Sequence, residues 1–202
     1  MRYLDPEWLI STFGVLGILA IVFAESGLLI GFFLPGDSLL FTTGLLVAGG
    51  QYLHLPLWLV IVLIVAAAIA GDQVGYVFGR RVGPALFRRP NSRLFKQENL
   101  TRAQEFFDRY GARSIVLARF VPIVRTFTPI VAGASRMHYR TFVLYNVIGG
   151  AVWGTGVTLL GYYLGQIEFV KSNIELILIG IVVLSVVPIV VELLRGRVRA
   201  RS

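Results

Sequence analysis

Arg119 and Arg125 stand six residues apart in an apolar stretch, ARFVPIVRTFTPIVAG (residues 118–133), that also contains Pro122 and Pro129. A guanidinium stays charged and can grip a phosphate or carboxylate with two parallel hydrogen bonds. The complementary charges, Glu25 and Asp37, lie in a second apolar stretch, residues 25–49, interrupted at Pro35-Gly36. An arginine facing mid-bilayer lipid costs roughly 2.5–3.5 kcal/mol on insertion scales. Proline removes a backbone donor and clashes with the preceding helical turn. Both stretches therefore read as broken, re-entrant segments lining a polar cavity, where irregular backbone is tolerated. On an unbroken helix the two arginines would point about 240° apart. A break at Pro122 lets both face one cavity.

Two readings of this quartet stay open. The arginines can bind an anionic phosphate headgroup, or they can only neutralise Glu25 and Asp37. Glu25 is a candidate proton carrier, but burial and a neighbouring arginine act on a carboxyl in opposite directions. Asp37 follows a proline-glycine break, where Asp37 or Ser38 could cap the next helix. Asp72, Tyr76, Asn146 and Trp153 are candidates to line the cavity or to pack around it. His54 and His138 fall at interfaces and read as solvated.

Composition supports a membrane setting. The 202 residues are 56% hydrophobic, with a mean hydropathy of +0.76. One domain, 1–202, is expected. The chain has no cysteine, which removes disulfides, thiolate metal sites and cysteine catalysis. The net charge is +8. In a soluble protein a pI near 10.3 would suggest nucleic acid. Here the basic residues cluster between apolar runs, as in cytoplasmic loops of membrane proteins, so no nucleic-acid partner is expected. The N-terminal apolar run has no strong basic region and no A-x-A-like cleavage site. It is expected to be retained as a membrane segment.

Four spans are expected: residues 9–34, 58–78, 141–165 and 174–194, each near the ~20 residues that cross a bilayer. Between the second span and the arginine stretch lies a hydrophilic region, 80–113, with nine Lys or Arg. Leu100, Ala103, Phe106, Phe107 and Tyr110 fall near helical spacing there, so an amphipathic helix stopped by Gly111 is expected. Three basic regions, 80–113, 136–140 and 195–201, share one side only if residues 114–136 dip into the membrane and return. Working backward, residues 25–50 dip from the opposite face, and both termini are cytoplasmic. The fold expected is an all-α integral membrane protein. It has about four transmembrane helices, two broken re-entrant hairpins entering from opposite faces, and a basic tail at 195–202. Pro35 before Val47-Ala48-Gly49, and Pro122 before Val131-Ala132-Gly133, form a faint inverted pseudo-repeat.

These residues together resemble the DedA family of bacterial membrane proteins, which also includes eukaryotic lipid scramblases carrying the VTT domain. The motifs that carry the resemblance are Glu25 with Pro35-Gly36-Asp37, Gly71-Asp72 with Gly75-Tyr76 and Gly79-Arg80, and Phe106-Phe107 before Gly111. They continue with Arg119-Phe120-x-Pro122-x-x-Arg125, Pro129 with Ala132-Gly133, and Asn146 with Gly149 and Trp153. The resemblance covers roughly residues 10–195. It implies two facing re-entrant loops and a functional need for Glu25, Asp37, Arg119 and Arg125. It also implies a bacterial inner-membrane protein that moves lipids between leaflets, with undecaprenyl phosphate as one substrate and proton-motive force as the drive.

The function expected is therefore a flippase-like transporter of a phosphate-bearing lipid, with lipid and membrane as partners and homo-oligomerisation left open. The alternative within transport is a proton-coupled carrier of a small solute. A lipid-phosphate enzyme is the reading from another class, but neither histidine lies in a phosphatase-like motif and no acidic cluster has metal-ligand spacing. The chain is expected not to be an enzyme and to use no metal or cofactor.

Overall fold

The computed structural model describes residues 6–28, 36–50, 55–86, 107 and 109–173. The Pro35 break, most of the 80–113 region, the span expected at 174–194 and the basic tail lie outside them, as do His54 and Phe106. Among the described residues there are seven helices and no strand. They are α1 (Pro6–Gly27), α2 (Gly36–Gly49), α3 (Leu57–Leu86), α4 (Arg113–Ala118), α5 (Pro122–Ala134), α6 (Tyr139–Gly165) and α7 (Glu168–Ser172). The described residues bear out the expectation of an all-α chain.

Two helical stretches, Leu57–Gly83 and Tyr139–Gly165, are apolar and 27 residues long. At 1.5 Å per residue each runs about 40 Å, more than the ~30 Å hydrocarbon core. In contrast, α2 has 14 residues and α5 has 13, about 20 Å each, too short to cross unaided. The stretch around the arginines is broken as expected. After α4 the chain turns at residues 119–121, and Pro122 takes the first position of α5, where its missing N–H costs nothing. Pro129 is carried inside α5.

Two boundaries differ from expectation. The helix expected to end near Phe78 continues to Leu86, because Arg80 and Arg81 are exposed and good helix formers. The second helix starts at Gly36, so Asp37 sits in its first turn rather than before it. There a carboxylate favours the positive end of the helix dipole.

The chain divides into two compact units. One comprises Met1–Gly14, Pro35–Val60 and Val157–Ser202; the other comprises Val15–Leu34 and Ile61–Gly156. In the first, α2 packs on the end of α6 through small residues. A side chain at Gly44 would strike the Thr158 backbone, and one at Gly161 would strike the Phe41 backbone. In the second, α3 carries glycines every fourth residue, at 71, 75, 79 and 83, which places them on one face. Gly71 meets Phe23 and Gly27 of α1, Gly79 meets the Ile130 backbone of α5, and Gly83 meets Ala134. Each unit thus seats a short helix on the small-residue face of a long one, as close packing without a hydrophobic drive requires.

The second unit's apolar core joins Tyr76, Ile115, Ala132 and Phe142, with Phe107 packed against it. The Tyr76 ring stacks on Phe142 with centroids 4.5 Å apart. Phe107, Arg109 and Tyr110 are helical, and Gly111 follows at φ +67°. That left-handed conformation is the helix stop expected there. The end of α5 is closed differently. The Arg136 N–H donates to the Gly133 carbonyl (3.1 Å) and the Met137 N–H to the Ala132 carbonyl (3.0 Å). This is a Schellman closure, with Arg136 at φ +57° where glycine is usual. A side chain in that conformation costs about 1–2 kcal/mol.

Candidate functional site

The second unit buries two ion pairs. Arg119 ends α4 and enters the 119–121 turn, so its side chain leaves the helix where the backbone is broken. It donates to Asp72 of α3 and, at 2.6 Å, to Asn146 Oδ1 of α6. Arg125 lies near the start of α5, the wrong end of a helix dipole for a cation. Glu25 of α1 offsets that charge by accepting from it. The four side chains expose only 5–9% of their surface. A buried pair stripped of one partner loses about 3–5 kcal/mol, so each pair also holds its helices in register.

One face of α6 completes the arrangement. Asn146, Gly149, Gly150 and Trp153 are spaced i, i+3, i+4, i+7, one stripe of a helix. Asn146 accepts from Arg119. Gly149 leaves room for it, since a Cβ there would lie 2.9 Å from Arg119 Cδ. The Trp153 ring takes both guanidiniums, with Cζ of Arg125 4.7 Å and Cζ of Arg119 6.0 Å from its centroid. Both lie within cation–π range.

The pocket among these groups is lined by Asp72, Arg119, Arg125, Asn146 and Trp153, with Ser26 and Thr128. Its free volume is about 10 Å³, the room of roughly one water. Two buried polar atoms of these ion-pair residues, Glu25 Oε2 and Asn146 Nδ2, have no hydrogen-bond partner among the described residues, and of the two residues only Asn146 lines the pocket. A buried polar atom left unpaired costs about 1–3 kcal/mol. The arrangement holds two cations against two anions in a nearly dry interior.

The structure brings together Glu25, Asp72, Arg119, Arg125, Asn146 and Trp153. It also resolves two points that the sequence left open. The acid that meets Arg119 is Asp72, because the Gly71 and Gly75 contacts draw α3 against α1 and α5 at that level. Asp37 belongs to the other unit and is half-buried in the first turn of α2. Tyr76, a candidate either to line the cavity or to pack around it, packs in the aromatic core one turn along α3. Phe142 covers its ring and its hydroxyl donates to the Met137 carbonyl at 2.6 Å. Ser26 and Thr128 were not anticipated. Thr128 lies three residues after Arg125, one turn away, so helical spacing could have found it; Ser26 is next to Glu25 in the chain, and that spacing gives no such signal. Among the described residues, no group of three or more His, Cys, Asp or Glu is placed to hold a metal ion.

Residues 34–163 match the VTT domain. The chain is 46% identical over 177 residues to protein DedA of Escherichia coli, covering 88% of this chain and 80% of that protein. It is 46% identical over 198 residues to an uncharacterized membrane protein of Mycobacterium tuberculosis, covering 95% and 86%. It is 36% identical over 175 residues to the inner membrane protein YghB of Salmonella typhimurium, covering 87% and 78%. No solved structure matches it.

Proposed function

The chain belongs to the DedA family of VTT-domain membrane proteins, and from that premise we propose that it moves a phosphate-bearing lipid between the leaflets of the bacterial inner membrane, coupled to proton uptake. The location follows the relatives named as membrane or inner membrane proteins. The single observation that carries the reading is the Glu25–Arg125 pair, buried beside Trp153 with one carboxylate oxygen unpaired.

A lipid phosphate is an anion that can take the place of Glu25 on Arg125. The pocket of about 10 Å³ holds no headgroup while the pair is closed. Protonation of Glu25 removes its charge and gives the orphaned Oε2 a hydrogen to donate. Arg125 is then released to a phosphate while Trp153 still holds its cationic face. Arg119, gripped by Asp72 and Asn146, stays in place as a second positive charge. Because each ligand favours the same open arrangement, lipid binding and proton binding are linked, and a proton gradient can drive the cycle. The short helices α2 and α5 fit re-entrant segments entering from opposite faces, with both termini cytoplasmic.

The experiment is transbilayer movement of a phosphate-headgroup lipid in proteoliposomes, with phosphatidylcholine movement and release of inorganic phosphate measured alongside. Movement of the phosphate lipid in excess of phosphatidylcholine, abolished by Arg125→Ala in protein that still inserts, is the expected result. Uptake of a small anion without lipid movement would favour the solute-carrier reading. Release of phosphate would mean an enzyme.

A further inference from the structure

Asn146 uses only half of its amide. The residue is 1% exposed, and its Oδ1 accepts from Arg119 at 2.6 Å. A guanidinium carries donors and no acceptor, so only the amide oxygen can face it. That bond fixes which way the amide points and leaves the Nδ2 group over. Nδ2 is buried and has no hydrogen-bond partner among the described residues.

The amide is not free to turn and mend this. Arg119 lies close along α6, where a Cβ at Gly149 would meet its Cδ at 2.9 Å and one at Gly150 its Cζ at 3.6 Å. Turning the amide would set Nδ2 against a cation and break the bond to Oδ1. Other groups on the pocket wall are already committed. The Thr128 hydroxyl donates to the Val124 carbonyl at 2.7 Å, and Asp72 accepts from Arg119.

A buried donor without an acceptor costs free energy and calls for an explanation. Asn146 lines the same pocket as Arg125 and Trp153. While the ion pairs are closed, the space of about 10 Å³ admits one water as the acceptor. An ionised oxygen is the stronger acceptor, because hydrogen bonds to charged groups are shorter and roughly twice as strong.

We propose that Asn146 determines specificity in this pocket, its Nδ2 donating to an ionised phosphate oxygen of the lipid headgroup that Arg125 receives. The inference rests on the transport reading and adds the residue that recognises the headgroup oxygen. Its Oδ1 keeps Arg119 in place, so one amide both positions a cation and reads the ligand.

The chain has three tryptophans, so Trp8→Phe with Trp58→Phe leaves Trp153 as a fluorescent reporter on the pocket wall. This full-length chain is placed in phosphatidylcholine nanodiscs and titrated with phosphatidic acid. Trp153 emission should change saturably, and diacylglycerol, which lacks the phosphate, should leave it unchanged. Glu25→Gln with Arg125→Gln, which strands no charge, should abolish the response. Asn146→Asp keeps an oxygen for Arg119 but replaces the donor with an acceptor, and Asn146→Leu removes both groups at similar volume. Each should raise the half-saturating fraction of phosphatidic acid about tenfold or more, as expected for loss of one charge-assisted hydrogen bond. Asn146→Gln keeps both groups and should retain part of the affinity. A native-like titration in Asn146→Asp or Asn146→Leu overturns this inference alone. No saturable response before Asn146 is changed, an equal response to diacylglycerol, or a response that survives Glu25→Gln with Arg125→Gln overturns the transport reading and this inference with it.

Discussion

Arg119 reaches 47 residues back along the chain to donate to Asp72, and the same guanidinium nitrogen donates to Asn146 Oδ1. Three helices, α3, α4 and α6, are tied at one buried point. The pair is therefore structural as well as electrostatic, and it sets apart the two arginines that the linear sequence presents as equals.

Removing Asp72 should act through folding. Asp72→Ala leaves Arg119 charged and buried, and should lower stability by about 3–5 kcal/mol. The double variant Asp72→Ala with Arg119→Ala should recover part of that loss. Thermal unfolding of the purified variants in detergent gives the coupling. Additive losses would mean that the two residues do not act as a pair.

The glycine face of α3 should be intolerant where helices touch. Gly79→Ala drives a Cβ into the Ile130 backbone, and overpacking of this kind costs about 1–3 kcal/mol. Gly17→Ala meets nothing within 4 Å and should be neutral or stabilising by up to about 1 kcal/mol. Equal melting shifts for the two would refute close α3–α5 packing.

Phe107 is half-buried against Tyr76, Ile115, Ala132 and Phe142. Phe107→Asp places a charge in that apolar contact and should sharply reduce folded protein in the membrane. An unchanged yield would show that this face is solvated.

Topology is open to single-cysteine labelling. Positions Ser92, Arg136 and Ser202 should react only from the cytoplasmic side, and Gln51 and Ser172 only from outside. Labelling at Arg136 from outside would end the re-entrant arrangement of residues 114–136.

Much of this was legible in the sequence for physical reasons. Charges and prolines in apolar runs are costly, so Glu25, Arg119 and Arg125 announce themselves, and so does the break before Pro122. The pairing was not legible. Asp72 and Asp37 are both lone acids in apolar surroundings, and only the packing of α3 decides which meets Arg119. A stronger signal lay in plain view, the four-residue spacing of Gly71, Gly75, Gly79 and Gly83, which marks the face that brings Asp72 inward. The Asn146–Trp153 stripe is a second such signal. Arg136 could be read as a basic loop residue, but its left-handed backbone could not, since arginine is a rare choice there.

The central claim is that protonation of Glu25 frees Arg125 for a phosphate. Its most direct test is the rate of phosphate-lipid movement in proteoliposomes across a pH series, for the native chain and for Glu25→Gln, with membrane levels matched. The native rate should rise as pH falls, while Glu25→Gln, a mimic of the protonated acid, should move lipid at a rate that no longer varies with pH. A Glu25→Gln profile identical to the native one would contradict the account.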